Sequence, residues 1–468
     1  MTYQTINPAT GEVLRTFEEI SDENLERAVS LAQGAYERNW RGRTVAARAQ
    51  VISAVAGRLR QHSDEYAGYL TLEMGKLIAE ARAEVALSAD ILDYYAKRAE
   101  RYLQPQPVPE SPGSLVKTLP IGIILAVEPW NFPYYQLARV AGPQLMVGNV
   151  VVVKHASSVP QSALAFARLF AEAGAPEGIY TNIFASFGQV SRLIDDSRVR
   201  GVTVTGSERA GAAVAERAGR NLKKSVMELG GSDPFIVLED APLEPTLDNA
   251  LWGRMNNTGQ SCVAAKRFIV VGTDRGAKFM QGLVARMAAL KAGDPNDDAT
   301  TLGPVSSEAA LDRLLEQIEN ARTAGARIVL GGGRVNRPGY YLEATILADI
   351  RPENPVFAQE LFGPVASVYI VADENEAIAL ANATPFGLGG SVFTGDLDHG
   401  RQIADCIESG MVFINHPTWT APELPFGGVK NSGYGRELSD LGFGEFVNRR
   451  LVAVSPVGTA PPVIVPAG

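Results

Sequence analysis

The chain has 468 residues, enough for two or three domains, and its 46% hydrophobic and 20% charged content is ordinary for a soluble globular protein. A formal charge of −9 sets the overall field against nucleic acid and anionic membrane surfaces as partners. Two cysteines cannot build a disulfide framework, and with four scattered histidines they give no metal-binding pattern.

The opening MTYQTINPATGEV lacks the basic and then apolar stretches of a secretory leader. Apolar runs such as IGIILAV (121–127) are too short to span a bilayer, so a cytoplasmic protein is expected. Residues 21–103 read as helical, with Ser21 placed to cap the acidic first turn of SDENLERAVSLAQGAYERNW. The four prolines of QPQPVPESPG (104–113) break that pattern and predict a connector. From Ile121 short apolar runs alternate with helical segments: IGIILAV, VVVVK (150–154), IYTNIF (179–184), GVTVTG (201–206) and KSVMEL (224–229). This predicts an α/β fold with a parallel sheet covered on both faces. PFIVL, RFIVVG and ARIVLGG belong to a second such series, which gives two α/β units with a boundary near 228–232. The proline-rich end SPVGTAPPVIVPAG is expected to dock on something rather than fold alone.

Five motifs bear on chemistry. VTGSERAG (204–211) sets Gly206 and Ser207 between a strand and a helix, where free backbone N–H groups suit a phosphate. An ordinary tight turn would read the same, and the pattern is not G-x-G-x-x-G. Lys154 ends a buried strand at the edge where parallel sheets bind ligands, although a lysine reaching for solvent would look alike. EPWNFP (128–133) holds Trp130 and Asn131 between prolines, where the Asn131 amide could donate to an oxyanion, although by itself the fragment reads more readily as a rigid loop without function. MELGGSDP (227–234) carries Glu228 at a strand end, where burial would raise a carboxyl pKa toward that of a general base, and a structural acid would read the same. One of the two cysteines, Cys262, closes NNTGQSC, a run of amides and hydroxyls rather than the apolar setting of a structural cysteine. Cys406, in QIADCIESG, has the look of a helical core filler.

Taken together, EPWNFP, MELGG, NNTGQSC, AQELFGPV (358–365) and LPFGGVKNSGYGREL (424–438) resemble the aldehyde dehydrogenase family, in the family's order and over nearly the whole chain. KHAS with NHPTWTAPELPFGG is most similar to the family's short bacterial succinate-semialdehyde branch. The resemblance implies a Rossmann-like cofactor domain (1–106 and 123–228, with 430–448 returning to it), an α/β catalytic domain (229–429) and an oligomerisation arm (107–122 and 449–468). It implies Cys262 as nucleophile, Asn131 and the Cys262 N–H as oxyanion donors, and Glu228 as the base that hydrolyses the thioester. Trp130, Asn131, Lys154, His155, Ala156, Ser157, Gly206, Ser207, Leu229, Glu360 and Phe362 match cofactor-contacting positions, although His155 by itself reads as structural. Arg139, Ser261, Trp419 and Thr420 match substrate-binding positions. A homo-oligomer acting on a small aldehyde, with no nucleic acid, membrane or metal, is the corresponding expectation.

Two departures bear on specificity. Many members carry Glu where this chain has Ser157, and a carboxylate there repels a 2′-phosphate, whereas serine lets the phosphate approach Lys154; NADP is therefore expected in preference to NAD, with NAD use open. Some succinate-semialdehyde enzymes carry Arg where this chain has Asn256, which leaves Arg139 alone of two carboxylate-binding arginines. The competing readings are an aldehyde dehydrogenase of other or broad specificity, a CoA-acylating relative, a cofactor-free cysteine hydrolase and a non-catalytic protein. Glu228 speaks against the CoA-acylating relative, and the absence of a local histidine signature speaks against the hydrolase.

Overall fold

A computed structural model describes residues 2–459. The chain opens with the hairpin β1 (Tyr3–Asn7) and β2 (Glu12–Phe17), then runs through α1 (Asp22–Ala35), α2 (Val45–Gln61), α3 (Ser63–Met74) and α4 (Ile78–Tyr102). Ser21 caps α1 by accepting from the Asn24 N–H (3.2 Å). The prolines at 104–113 do interrupt the helices. The segment also supplies a short strand β3 (Gln106–Pro107), which pairs with β4 (Leu115–Pro120). The later strand Val447–Val452 pairs with the other edge of β4, making a three-stranded antiparallel sheet.

The first large sheet contains β5 (Ile123–Glu128), β6 (Val150–His155), β7 (Tyr180–Asn182), β8 (Val199–Thr205) and β9 (Lys224–Glu228) in the order β9-β8-β5-β6-β7, all parallel. Residues 433–434 add an antiparallel edge to β9. α5 (Pro133–Val147), α6 (Pro160–Glu172), α7 (Phe187–Asp195) and α8 (Glu208–Arg220) are the crossovers. β5 and β6 bury their apolar residues on both faces, which is why their sequence is a continuous apolar run and not an alternation.

Between Glu228 and Asp233 the chain passes to a second sheet, built around β10 (Asp233–Val237) and β11 (Ala265–Val271). α9 (Leu243–Met255) connects these two strands, and α10 (Thr273–Ala288) and α11 (Glu308–Thr323) follow. The second sheet continues through β12 (Arg327–Leu330), β13 (Thr345–Ala348) and β14 (Val365–Val371), and takes in the short strands at 391–393 and 413–414. β12, the ARIVLGG run, is an antiparallel edge strand and not one of the alternating parallel set. Only residues 455–459 of the proline-rich end are described; the expected docking of its remainder falls outside the described residues.

Candidate active site

The turn before Cys262 is strained. Asn257, Thr258 and Gly259 are all left-handed, with φ of 56°, 54° and 72°. A non-glycine residue pays roughly 1–2 kcal/mol in that region, so the turn needs outside support. Glu80 of α4 accepts from the Asn257 N–H (2.9 Å). The Asn257 amide donates to the carbonyls of Asn131 (2.9 Å) and Gln260 (3.0 Å). Arg254 donates to the Gly259 and Gly363 carbonyls, and Gln260 accepts from the Ser306 N–H. The polar side chains of NNTGQSC therefore brace the turn, and Gly259 is required because a Cβ there would strike the Gly363 carbonyl.

α4 also fixes the facing loop. Glu84 accepts from the Tyr134 (2.9 Å) and Tyr135 (3.2 Å) N–H groups at the start of α5 and is paired with the buried Lys76. That holds the Trp130–Asn131 segment against the cysteine turn. One Asn131 Nδ2–H donates to the Gln260 carbonyl (3.1 Å), and an amide nitrogen has a second hydrogen for another acceptor.

A cavity of about 720 Å³ lies beyond the carboxyl ends of β5, β8 and β9. Trp130, Asn131, Gly206, Ser207, Leu229, Cys262, Glu360 and Phe362 all line it. Ser207 caps α8 through its side chain, so the amino end of that helix faces the cavity. The Trp130 and Phe362 rings meet edge to face at 5.7 Å. Glu360 accepts from the Gly231 N–H (3.1 Å). Burial pushes the Cys262 thiol up to about 12; Lys266 and Arg139 pull it back, while Glu360 and Asp233 add to the rise.

Glu228 ends β9, is 2% exposed and finds no hydrogen-bond partner for either oxygen among the described residues. Burial, and then the Glu437 carboxyl, hold its pKa well above the usual carboxylate range against the opposing pull of Arg139 and Arg436. It packs near Gly427 rather than on the cavity wall. Sequence reasoning anticipated the raised pKa but not the inward orientation.

Other expected residues lie elsewhere. Ser157 lines a second cavity of about 410 Å³, which shares Ser306, Ser307 and Ala309 with the first. Lys154 lines neither; its ammonium lies over the Tyr3 (5.6 Å) and Phe187 (5.5 Å) rings, and burial lowers its pKa to about 8. His155 is fully buried and accepts from the Ala156 N–H (2.9 Å), leaving Nε2–H to donate to the Pro133 carbonyl (3.2 Å). His155 and Ala156 thus lock the end of β6 and do not face the cavity. Arg139 is buried: it pairs with Glu437, donates to Thr205 (2.9 Å) and the Tyr135 hydroxyl (3.2 Å), and lies over the Phe426 ring. The guanidinium expected to meet the substrate carboxylate is thus engaged by protein groups. Thr420 meets the Tyr135 hydroxyl at 2.9 Å, the Ser261 carbonyl accepts from Lys266, and Trp419 is exposed beside His416. Cys406 is exposed just beyond the helix Leu397–Ala404, which corrects its reading as core.

Sequence reasoning missed Glu80, Glu84, Lys266 and Arg313, the last on the wall of the larger cavity. Only Lys266 carried a signal, as a charge set inside the apolar run AAKRFIVVG. Among the described residues no helix is long and apolar enough to cross a membrane, and no cluster of His, Cys, Asp or Glu is arranged to hold a metal ion.

A model of the aldehyde dehydrogenase family matches residues 1–452. A succinate-semialdehyde dehydrogenase (NADP(+)) of Deinococcus radiodurans is 48% identical over 460 residues, covering 98% of this chain and 96% of that protein. Succinate-semialdehyde dehydrogenase (NADP(+)) 1 of Mycobacterium tuberculosis is 45% identical over 459 residues, covering 97% and 100%. The crystal structure of succinic semialdehyde dehydrogenase from Streptococcus pyogenes in complex with NADP+ aligns with a TM-score of 0.95 at 46% identity, covering 97% of this chain and 100% of that one.

Proposed function

The chain belongs to the aldehyde dehydrogenase family, and from that premise we propose that it oxidises succinate semialdehyde, or a similar ω-carboxy aldehyde, to the carboxylic acid with hydride transfer to NADP. The observation that carries the reading is the convergence of Cys262, Asn131, the Gly206–Ser207 helix start, Glu360 and Phe362 on one cavity. That donor set fits a dinucleotide: a helix amino end for phosphate, two aromatic rings and a carboxylate for a ribose. The similar proteins named as NADP-dependent succinate-semialdehyde enzymes support the substrate and cofactor. When bound, the cofactor supplies the hydride acceptor.

The protein's own residues do the rest. The Cys262 thiolate adds to the aldehyde carbon, and the oxyanion that forms accepts from the free Asn131 Nδ2–H and the Cys262 backbone N–H. Loss of hydride from that carbon leaves a thioester on Cys262. Glu228 removes a proton from water as the water attacks the thioester carbonyl, and the carboxylic acid departs as the thiolate re-forms. In its buried position the Glu228 carboxyl has a raised pKa, so base work is favoured when it turns toward the cavity, where hydration lets it ionise.

The three-stranded sheet of β3, β4 and Val447–Val452 exposes Leu451 and leads into the exposed Val454, which supports assembly through this arm into a homo-oligomer; a cytoplasmic location is part of the same proposal. The test of function is the absorbance of reduced nicotinamide with succinate semialdehyde and each cofactor, with and without CoA. NADP-dependent, CoA-independent reduction is expected. A strict CoA requirement, or reduction only with other aldehydes, overturns the reading.

A further inference from the structure

Lys266 is the second residue of β11 and only 1% exposed. A buried ammonium is retained only where its donors are satisfied and its charge is countered. Its three N–H donors meet three acceptors: the Ser261 carbonyl (2.8 Å), the Cys262 carbonyl (2.7 Å) and the Glu360 carboxylate (3.1 Å). Two glycines make room for this cluster. A Cβ on Gly231 would strike the Cys262 carbonyl, and one on Gly230 would come within 2.8 Å of Glu360 Oε2. One cation thus joins the backbone of the cysteine to a carboxylate on the cavity wall.

We propose that Lys266 is a positioning residue for Cys262, fixing its carbonyl and lending the sulfur a positive charge that Glu360 partly cancels. The inference rests on the reading of Cys262 as the nucleophile. Five ionisable groups act on or near the thiol. Lys266 and Arg139 favour the thiolate, Glu360 and Asp233 oppose it, and the Tyr135 hydroxyl stands nearby. Arg139 is already committed to Glu437, and Asp233 to the Gly389 N–H (3.1 Å). Lys266 and Glu360 are therefore the opposed pair whose removal separates charge from packing.

The test is the pH dependence of iodoacetamide labelling at Cys262, read by peptide mass spectrometry in the full-length protein with the exposed Cys406 as internal reference. Lys266→Met and Lys266→Gln should each slow Cys262 labelling near neutral pH by about tenfold, the effect of one unit of thiol acidity. Glu360→Gln should move the profile the opposite way, and Cys406 should not respond in any variant. Gln keeps a donor but no charge, so recovery of the wild-type rate in Lys266→Gln, or no change in both Lys266 variants, overturns the proposal. If Lys266→Met does not fold, the direction of the Glu360→Gln shift decides by itself. Turnover that survives Cys262→Ser would overturn the nucleophile reading instead, an outcome the labelling profile does not depend on.

Discussion

Arg139 and Glu437 form an ion pair inside the protein, the arginine 1% and the glutamate 8% exposed. The remaining guanidinium contacts go to Thr205, the Tyr135 hydroxyl and the Phe426 ring, and its charge is also felt at Cys262. Removing one member of a buried pair strands the other charge, at a cost of roughly 3–5 kcal/mol. Arg139→Ala should therefore lower the unfolding free energy by that amount, read as a drop in the urea midpoint at unchanged m. Its kcat/KM should fall alike for succinate semialdehyde and for an uncharged aldehyde of similar length. A loss confined to succinate semialdehyde would mean that the guanidinium turns to the substrate after all.

The two cysteines should separate cleanly. Cys262→Ala is expected to abolish turnover, because no other thiol lines the cavity. Cys406→Ala removes an exposed thiol whose polar contact is the Gln402 carbonyl, and should leave turnover and Tm nearly unchanged. Equal loss in both variants would contradict the assignment.

Glu228→Gln is expected to block the second half of the reaction. Rapid mixing should show a burst of reduced cofactor followed by a slow steady state. Because burial raises the Glu228 pKa, the wild-type base form is scarce at low pH and grows as pH rises. Steady-state turnover limited by this step should climb with pH, and that limb should vanish in Glu228→Gln. Unchanged steady-state turnover in the variant would rule out the base role.

Ser157, on the wall of the smaller cavity, should govern cofactor choice. Replacing it with Glu places a carboxylate where a 2′-phosphate would approach. Loss of one charge-assisted contact is worth about 1.5–3 kcal/mol, or roughly ten- to a hundredfold in kcat/KM. Wild type should favour NADP, and Ser157→Glu should lose that preference through NADP alone. Unaltered selectivity would show that the discrimination lies elsewhere.

How far these features were legible follows from the range of the interactions behind them. β5 and β6 stood out because burial on both faces writes an almost uninterrupted apolar run into the sequence. The strands at 391–393 and 413–414 are too short to carry a pattern, and β12 shares the texture of a parallel strand although it lies antiparallel at an edge. Cys262, Asn131 and most of the cavity wall were readable because their motifs occur together and in order. The partners of Arg139, Glu80 and Lys266 were not. An isolated charge does not announce which distant residue will meet it, and the contacts that Lys154 and His155 make around β6 are of the same unannounced kind.

The left-handed turn at Asn257–Gly259 is held by groups from α4, the Asn131 loop, Arg254 and the Ser306 region, and its own sequence opposes the shape. A device assembled from four places is only as durable as the first to loosen. Low concentrations of denaturant that merely part α4 from its neighbours should let the turn relax to ordinary backbone angles. The protein would then stop working while its circular dichroism still reads as native, and would regain activity on dilution without refolding.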